Sequence, residues 1–315
     1  MIKHVFRLLA VVTVAAAGWY VPPKNVSWQY QLSDTGSASY IPGVDLYVID
    51  IDTARDSIPY IKKKNPVAKV VCYFSAGTFE AYRVDWDEDR GPYSFSKEAW
   101  GSSIGRPMDG WPGEYWVDVR SKRVRRIAKK RIKFAKSIGC AGVDPDNVDG
   151  YTFGKKETGF SLTRKEQQSF ITYLAETAHS LGLGIGLKNA IELVSRIGSK
   201  FDWFMNESCF TFRECMEYSK KKSLSKKALF IVEYCDATSA LGEPTQDPGC
   251  YCPISLKEGW NTLIKQADLG VPRLPCSVFC HEEHSSQSPS SSCPLEEDQQ
   301  QQEEDVCLVL QEDSY

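Results

Sequence analysis

Apolar runs that stop in carboxylates recur along this chain, with helix-like stretches between them, and that alternation limits the fold more than any other feature. Asp50, Asp144, Asp146, Asp149, Glu207 and Glu233 all fall at such run ends. Candidate strands cover residues 44–51, 68–74, 115–119, 139–143, 183–187, 201–205 and 228–232, and an eighth is expected near 269–274. Segments of 3.6-residue period separate them. Repeated βα units of this kind predict an α/β fold, a (β/α)8 TIM barrel in one domain spanning about residues 24–276. Barrel strands converge at one rim, and the rim carries the chemistry.

Two helices are well marked. Val124, Ile127, Arg131, Ala135 and Ile138 share one face of a helix that Gly139 should stop, while Arg123, Arg125, Arg126, Lys129, Lys130, Lys133 and Lys136 share the other. That basic face reads as the solvated side of an outer barrel helix, with a polyanion patch as the alternative. Thr163-Arg164-Lys165-Glu166 forms a capping box at the start of a second helix, which ends before Gly182. His179, late in that helix, suits the helix dipole and is not expected to be a ligand.

Lys3, His4 and Arg7 precede an apolar run that closes on Ala15-Ala16-Ala17, so residues 1–17 are expected to be a cleaved signal peptide. Cleavage would remove Lys3 and Arg7 and no acid, moving the net charge from −3 to −5. A nucleic-acid partner, which calls for a basic domain, is not expected. Eleven cysteines in a secreted chain imply disulfides. Cys209 and Cys215 are close enough to close a small loop, Cys235, Cys250, Cys252, Cys276 and Cys280 could staple the last third, and Cys72 and Cys140 could be buried thiols or a bridge. Cys250-Tyr251-Cys252 has the wrong spacing for structural zinc. Asn25 begins a usable glycosylation sequon, whereas Asn206, at a strand end, is not expected to be modified. Residues 281–315, rich in Ser, Gln, Glu and Asp, are expected to form a disordered acidic tail. The extracellular chain is expected to be a monomer with no membrane attachment.

The densest acidic run, Asp144-Pro145-Asp146-Asn147-Val148-Asp149, does not fit an EF-hand loop, since Val148 falls at position 5 and Lys155 at position 12. Neither a G-x-S-x-G elbow nor a phosphate loop is present. Carboxylates crowded on a rim cannot all ionise freely, which drives their pKa values apart and favours cationic ligands. The pattern is that of an enzyme hydrolysing by paired carboxylates, with no metal and no cofactor. Lys188 ends a run as the acids do and could hold them ionised. Tyr73, Trp111 and Trp116 could stack on sugar faces. A D-x-D glycosyltransferase, read from Asp144-Pro145-Asp146 or Asp50-Ile51-Asp52, is a weaker alternative.

These residues together resemble the glycoside-hydrolase TIM-barrel family of endo-α-1,4-polygalactosaminidases. The matching segments include Trp28-Gln29-Tyr30, Asp45 to Asp50, Val71 to Glu80, Gly110-Trp111-Pro112-Gly113-Glu114, Asp144 to Tyr151, Gly186-Leu187-Lys188-Asn189, Asn206-Glu207-Ser208-Cys209 and Val232-Glu233-Tyr234. The resemblance implies hydrolysis of an α-1,4-linked galactosamine polymer, a cationic polysaccharide. It places the catalytic pair on Asp146 and Glu207, with Asp50, Tyr73, Trp111, Asp144, Asp149, Lys188 and Glu233 lining the sugar site. A carbohydrate-binding protein that kept the barrel and lost turnover is the alternative. The stretch from Thr152 to Thr158 is longer than the family pattern.

Overall fold

The computed structural model describes residues 18–33, 38–83, 85–87, 91–93, 97–235 and 248–283. Eight parallel strands follow one another around a curled sheet: β1 (Trp28–Gln31), β2 (Leu46–Asp50), β3 (Lys69–Ser75), β4 (Gly142–Asp146), β5 (Gly184–Lys188), β6 (Trp203–Glu207), β7 (Ala228–Tyr234) and β8 (Asn261–Lys265). Helices α1 (Ile51–Lys64), α2 (Lys122–Ser137), α3 (Arg164–Ser180), α4 (Ile191–Ile197), α5 (Pro248–Glu258) and α6 (Cys276–Glu283) accompany them. This is the TIM-barrel architecture. After β8 the chain crosses to β1, where the Leu32 amide donates to the Leu269 carbonyl at 3.1 Å.

Alternation along the strands sorts the side chains into two cores. Trp28, Tyr30, Leu46, Val48, Val71, Trp203, Met205, Phe230 and Val232 fill the barrel, whereas Tyr47, Ile49, Cys72, Phe74, Phe204, Leu229 and Ile231 pack outward with the helices. A pleated strand sends successive side chains to opposite faces, so each inner residue fixes the identity of the next inner one two positions on. Gly142, Gly184 and Gly186 take inner positions where a Cβ would meet the Trp203 ring at 2.7, 2.9 and 2.3 Å. The small residues and the indole are one packing solution.

Two strand expectations change, and one strand is added. Residues 115–119 do not enter the barrel. Glu114–Val117 lies between Thr78–Glu80 and Ile104–Pro107 in a small antiparallel sheet inserted after β3. Strand β1 was not among the candidates, because Trp28-Gln29-Tyr30-Gln31 alternates too briefly to stand out. The eighth strand is β8 at 261–265 rather than 269–274, where only Leu274–Pro275 pairs, antiparallel, on its outer side. The two marked helices form as expected. Gly139 follows α2 at φ +91°, and the Thr163–Glu166 capping box is complete. His179 pairs with Asp202 at 2.9 Å and stacks on Trp19.

Disulfides join Cys72 to Cys140, Cys209 to Cys215 and Cys252 to Cys276, and Cys235 and Cys250 are also disulfide-bonded. Cys72–Cys140 ties β3 to the start of β4 across the inserted sheet, where closing a long loop most restricts the unfolded chain. Asn25 is exposed in a turn, and Asn206 is fully buried. Helix α6 continues through the first residues assigned to the acidic tail. The rest of that tail and the segment 1–17 lie outside the described residues.

Candidate active site

Nine rim residues share the inner register of their strands: Tyr30, Asp50, Tyr73, Ser75, Asp144, Asp146, Lys188, Glu207 and Tyr234. The Lys188 ammonium is their hub. It is buried, donates to the Tyr30 hydroxyl at 3.0 Å, and lies 3.2 Å from Asp146 Oδ2 and 2.8 Å from Glu207 Oε2. Its charge also sits over the Tyr30 and Tyr73 rings, at 5.5 and 5.6 Å from their centroids. The carboxylates around Lys188 hold its pKa well above the usual lysine range despite burial, which acts in the opposite direction. It is therefore a fixed cation.

Asp146 receives two further donors. The Tyr73 hydroxyl reaches Oδ2 at 2.9 Å and the Asn147 amide reaches Oδ1 at 2.8 Å. Glu207 has its second oxygen on the Tyr234 hydroxyl, and its own amide donates to Asn189 Oδ1 at 3.1 Å. Each carboxylate thus has its own tyrosine and shares the lysine: on Glu207 the two contact opposite oxygens, and on Asp146 both contact Oδ2. Burial pushes all three tyrosine hydroxyls, on Tyr30, Tyr73 and Tyr234, well above the usual range, so they stay donors.

Beneath the pair lies Asp144, with no exposed surface. Neither oxygen has a hydrogen bond of good geometry, although the Trp203 indole alongside offsets part of the cost of charging it. Burial pushes the Asp144 carboxyl up to about 7. Glu114, on the inserted sheet, is also pushed up by burial to about 7, although Thr78 donates to it and the Asn147 side chain reaches it at 3.2 Å. Asp149, in the turn after β4, is half-buried and raised to about 6 by its enclosure and then by Asp146. Asp50 is ion-paired through a bidentate contact from Arg83 at 3.0 and 2.8 Å, and it caps α1. Arg83 also binds Glu80, which Arg131 approaches at 3.7 Å from α2.

Glu233 stands apart. It has the outer register of β7, is 2% exposed, and accepts from the Phe210 amide at 2.8 Å and the Thr211 hydroxyl at 3.0 Å. Trp111 sits half-exposed on the turn before Glu114. Trp116 is buried against Phe153. Tyr30, Tyr234, Asn189 and Glu114 are site residues that sequence reasoning did not single out, although the two-residue spacing from Val232 to Tyr234 marks Tyr234 as inward. Among the described residues no three His, Cys, Asp or Glu side chains group as a metal ligand set.

The model of glycoside-hydrolase family GH114 matches residues 9–285. The chain belongs to this family. It is a glycoside hydrolase. Its structure is similar to Aspergillus fumigatus Ega3 in complex with galactosamine, at a TM-score of 0.69 and 29% identity, with 82% of this chain and 98% of that chain covered. The glycoside hydrolase domain of PelA from Pseudomonas aeruginosa shares the fold at a TM-score of 0.54 and 13% identity, covering 79% and 97% of the two chains. An uncharacterized protein of Thermotoga maritima is 25% identical over 190 residues, and the match spans 56% of this chain and only 55% of that relative.

The raised carboxyls give stability a direction with pH. Asp144, Glu114 and Glu233 bind protons up to about 7 and Asp149 up to about 6 in the folded chain. Unfolded, such groups release them near 4. Between those limits the folded state holds the extra protons, so stability falls as pH rises. We expect the Tm to drop by roughly 5 °C or more from pH 5 to pH 7.5, since coupling within the cluster keeps the effects from adding fully. A melting series that is flat or rising over this range contradicts the buried acids.

Proposed function

We propose that the protein is a secreted, monomeric endo-acting glycosidase that cleaves α-1,4-linked galactosamine-rich polysaccharide with Asp146 and Glu207. One observation carries the reading: two carboxylates from different strands meet on one buried lysine. The legs of 3.2 and 2.8 Å share the Lys188 nitrogen, so the nearest oxygens are at most about 6 Å apart. Sharing one ammonium keeps the two groups close, and the proposed course is the retaining one, which uses a pair about 5–5.5 Å apart.

In the retaining sequence an Asp146 oxygen attacks the anomeric carbon while the glycosidic C–O bond breaks, and Glu207 gives its proton to the leaving oxygen. Water then attacks the same carbon, Glu207 takes the water proton, and the Asp146 ester bond breaks. The nucleophile assignment rests on the three donors that fix the Asp146 carboxylate in place, from Tyr73, the Asn147 amide and Lys188. Carboxylates outnumber cations around the rim, which suits a substrate bearing ammonium groups. The galactosamine in the Ega3 complex supports the same substrate class. Disulfides and the basic-then-apolar first residues support an extracellular site of action.

The test is release of reducing ends from partially deacetylated α-1,4-galactosamine polymer. Oligomers should appear early, as endo cleavage requires, and EDTA should leave the rate within experimental error. Activity lost to EDTA and restored by a divalent ion would move the Asp144–Asp149 cluster to a metal role. Tight binding without reducing ends would point instead to a binding protein.

A further inference from the structure

Strand β7 reaches the segment after Glu207 from both of its faces. Tyr234, on the inner face, binds the Glu207 carboxylate, while Glu233, on the outer face, binds the backbone and a side chain of the loop at 208–215. That loop begins under strain: Ser208, the residue after Glu207, has φ +65°, a left-handed conformation unfavourable for a residue with a Cβ. Such a conformation persists only where its surroundings hold it. Four restraints do so here. The Ser208 amide donates to the Val232 carbonyl at 2.8 Å, Cys209 and Cys215 are bridged, the Phe210 ring stacks on Tyr251 at 4.9 Å, and the Glu233 carboxylate accepts from residues 210 and 211. Of these, the carboxylate is the polar tie on the buried Phe210 amide, which would otherwise be an unsatisfied donor in the outer core.

We propose that Glu233 is a positioning residue: it holds the strained loop at 208–215 so that Glu207 stays aligned on Lys188 and Tyr234, and it does not bind sugar. The inference rests on the reading of Glu207 as the acid/base. In a Glu233→Gln protein one oxygen remains for two donors, and the new amide N–H group faces one of them. Glu207 then loses its register without any loss of contact to the polymer. A displacement on the scale of an ångström costs up to about 100-fold in rate.

The experiment measures kcat and KM for the polymer in Glu233→Gln, with Glu207→Ala as a control, well below each protein's Tm. The expected result is a kcat roughly tenfold lower with KM within about twofold. Reduction of Cys209–Cys215, followed by thiol labelling and peptide mapping, should be about tenfold faster, because both cysteines are buried in the intact loop. If Glu233→Gln does not fold, the Thr211 pair decides: Thr211→Val should lower kcat severalfold and Thr211→Ser, which keeps the hydroxyl, should restore it. An unchanged kcat in Glu233→Gln, or equal kcat for the two Thr211 variants, overturns the proposal. A raised KM with unchanged kcat would make Glu233 a sugar ligand. Should Glu207→Ala keep its activity, the acid/base reading fails instead, and the reduction rate alone still reports whether Glu233 holds the loop.

Discussion

Replacing Asp146 or Glu207 with alanine is expected to lower kcat on the polymer by about three orders of magnitude or more, and the two variants should part company in azide. Without Asp146 no covalent intermediate forms. Without Glu207 the intermediate can still form from a substrate with a good leaving group, and then waits for a base that is missing. Azide needs no base, so it should rescue Glu207→Ala on an activated galactosaminide and give a glycosyl azide of retained configuration. A retained azide from Asp146→Ala together with an inverted azide from Glu207→Ala would reverse the two roles. Rescue of neither, with full folding, would move the chemistry to other residues.

A Lys188→Met protein should be crippled twice over. Methionine keeps the volume and removes the charge that Asp146 and Glu207 share. Removing one partner of a buried ion pair costs about 3–5 kcal/mol, chiefly because the remaining charge is left uncompensated. Here two carboxylates lose their cation, and buried Asp144 loses the charge that moderates its own shift. The expected outcome is a Tm lower by roughly 10 °C at pH 7.5, with most of that deficit recovered at pH 5, where the orphaned acids take up protons. Activity at pH 7.5 should fall by at least about 100-fold, as expected when a preorganised charge beside the reacting atoms is lost. A variant with wild-type melting and a modest rate loss would show that the lysine is not the hub its geometry suggests.

Much of the candidate site is legible in the sequence, for a physical reason. Most strands of this barrel are apolar along their length, so a charge at the end of one stands out. Asp50, Asp146, Lys188 and Glu207 all stand out in this way, and all four have the inner register at the rim. Trp28-Gln29-Tyr30-Gln31 and Asn261 to Lys265 were harder to read. Both strands contain polar residues that are buried in the fold, such as Gln29 and Lys265, and these break the apolar run that marks a strand. The stretch from Tyr115 to Val119 misled in the opposite sense, because a strand of a covering sheet is as apolar as one of the barrel.

Sequence by itself determined the alternation of strands and helices, the capped helices and the family-specific run of acids, because propensity, periodicity and caps act within a few residues. Which of those acids meet was decided by tertiary structure. Strand pleating sends Tyr234 inward and Glu233 outward, though they are neighbours in the chain. The curl of the sheet brings Tyr30 from β1 to Lys188 on β5, 158 positions apart. The inserted sheet brings Glu114 beside Asn147. Burial then sets the charge states, since a carboxyl such as Asp144 is raised by the water it has lost, and only the packed molecule determines how much water that is.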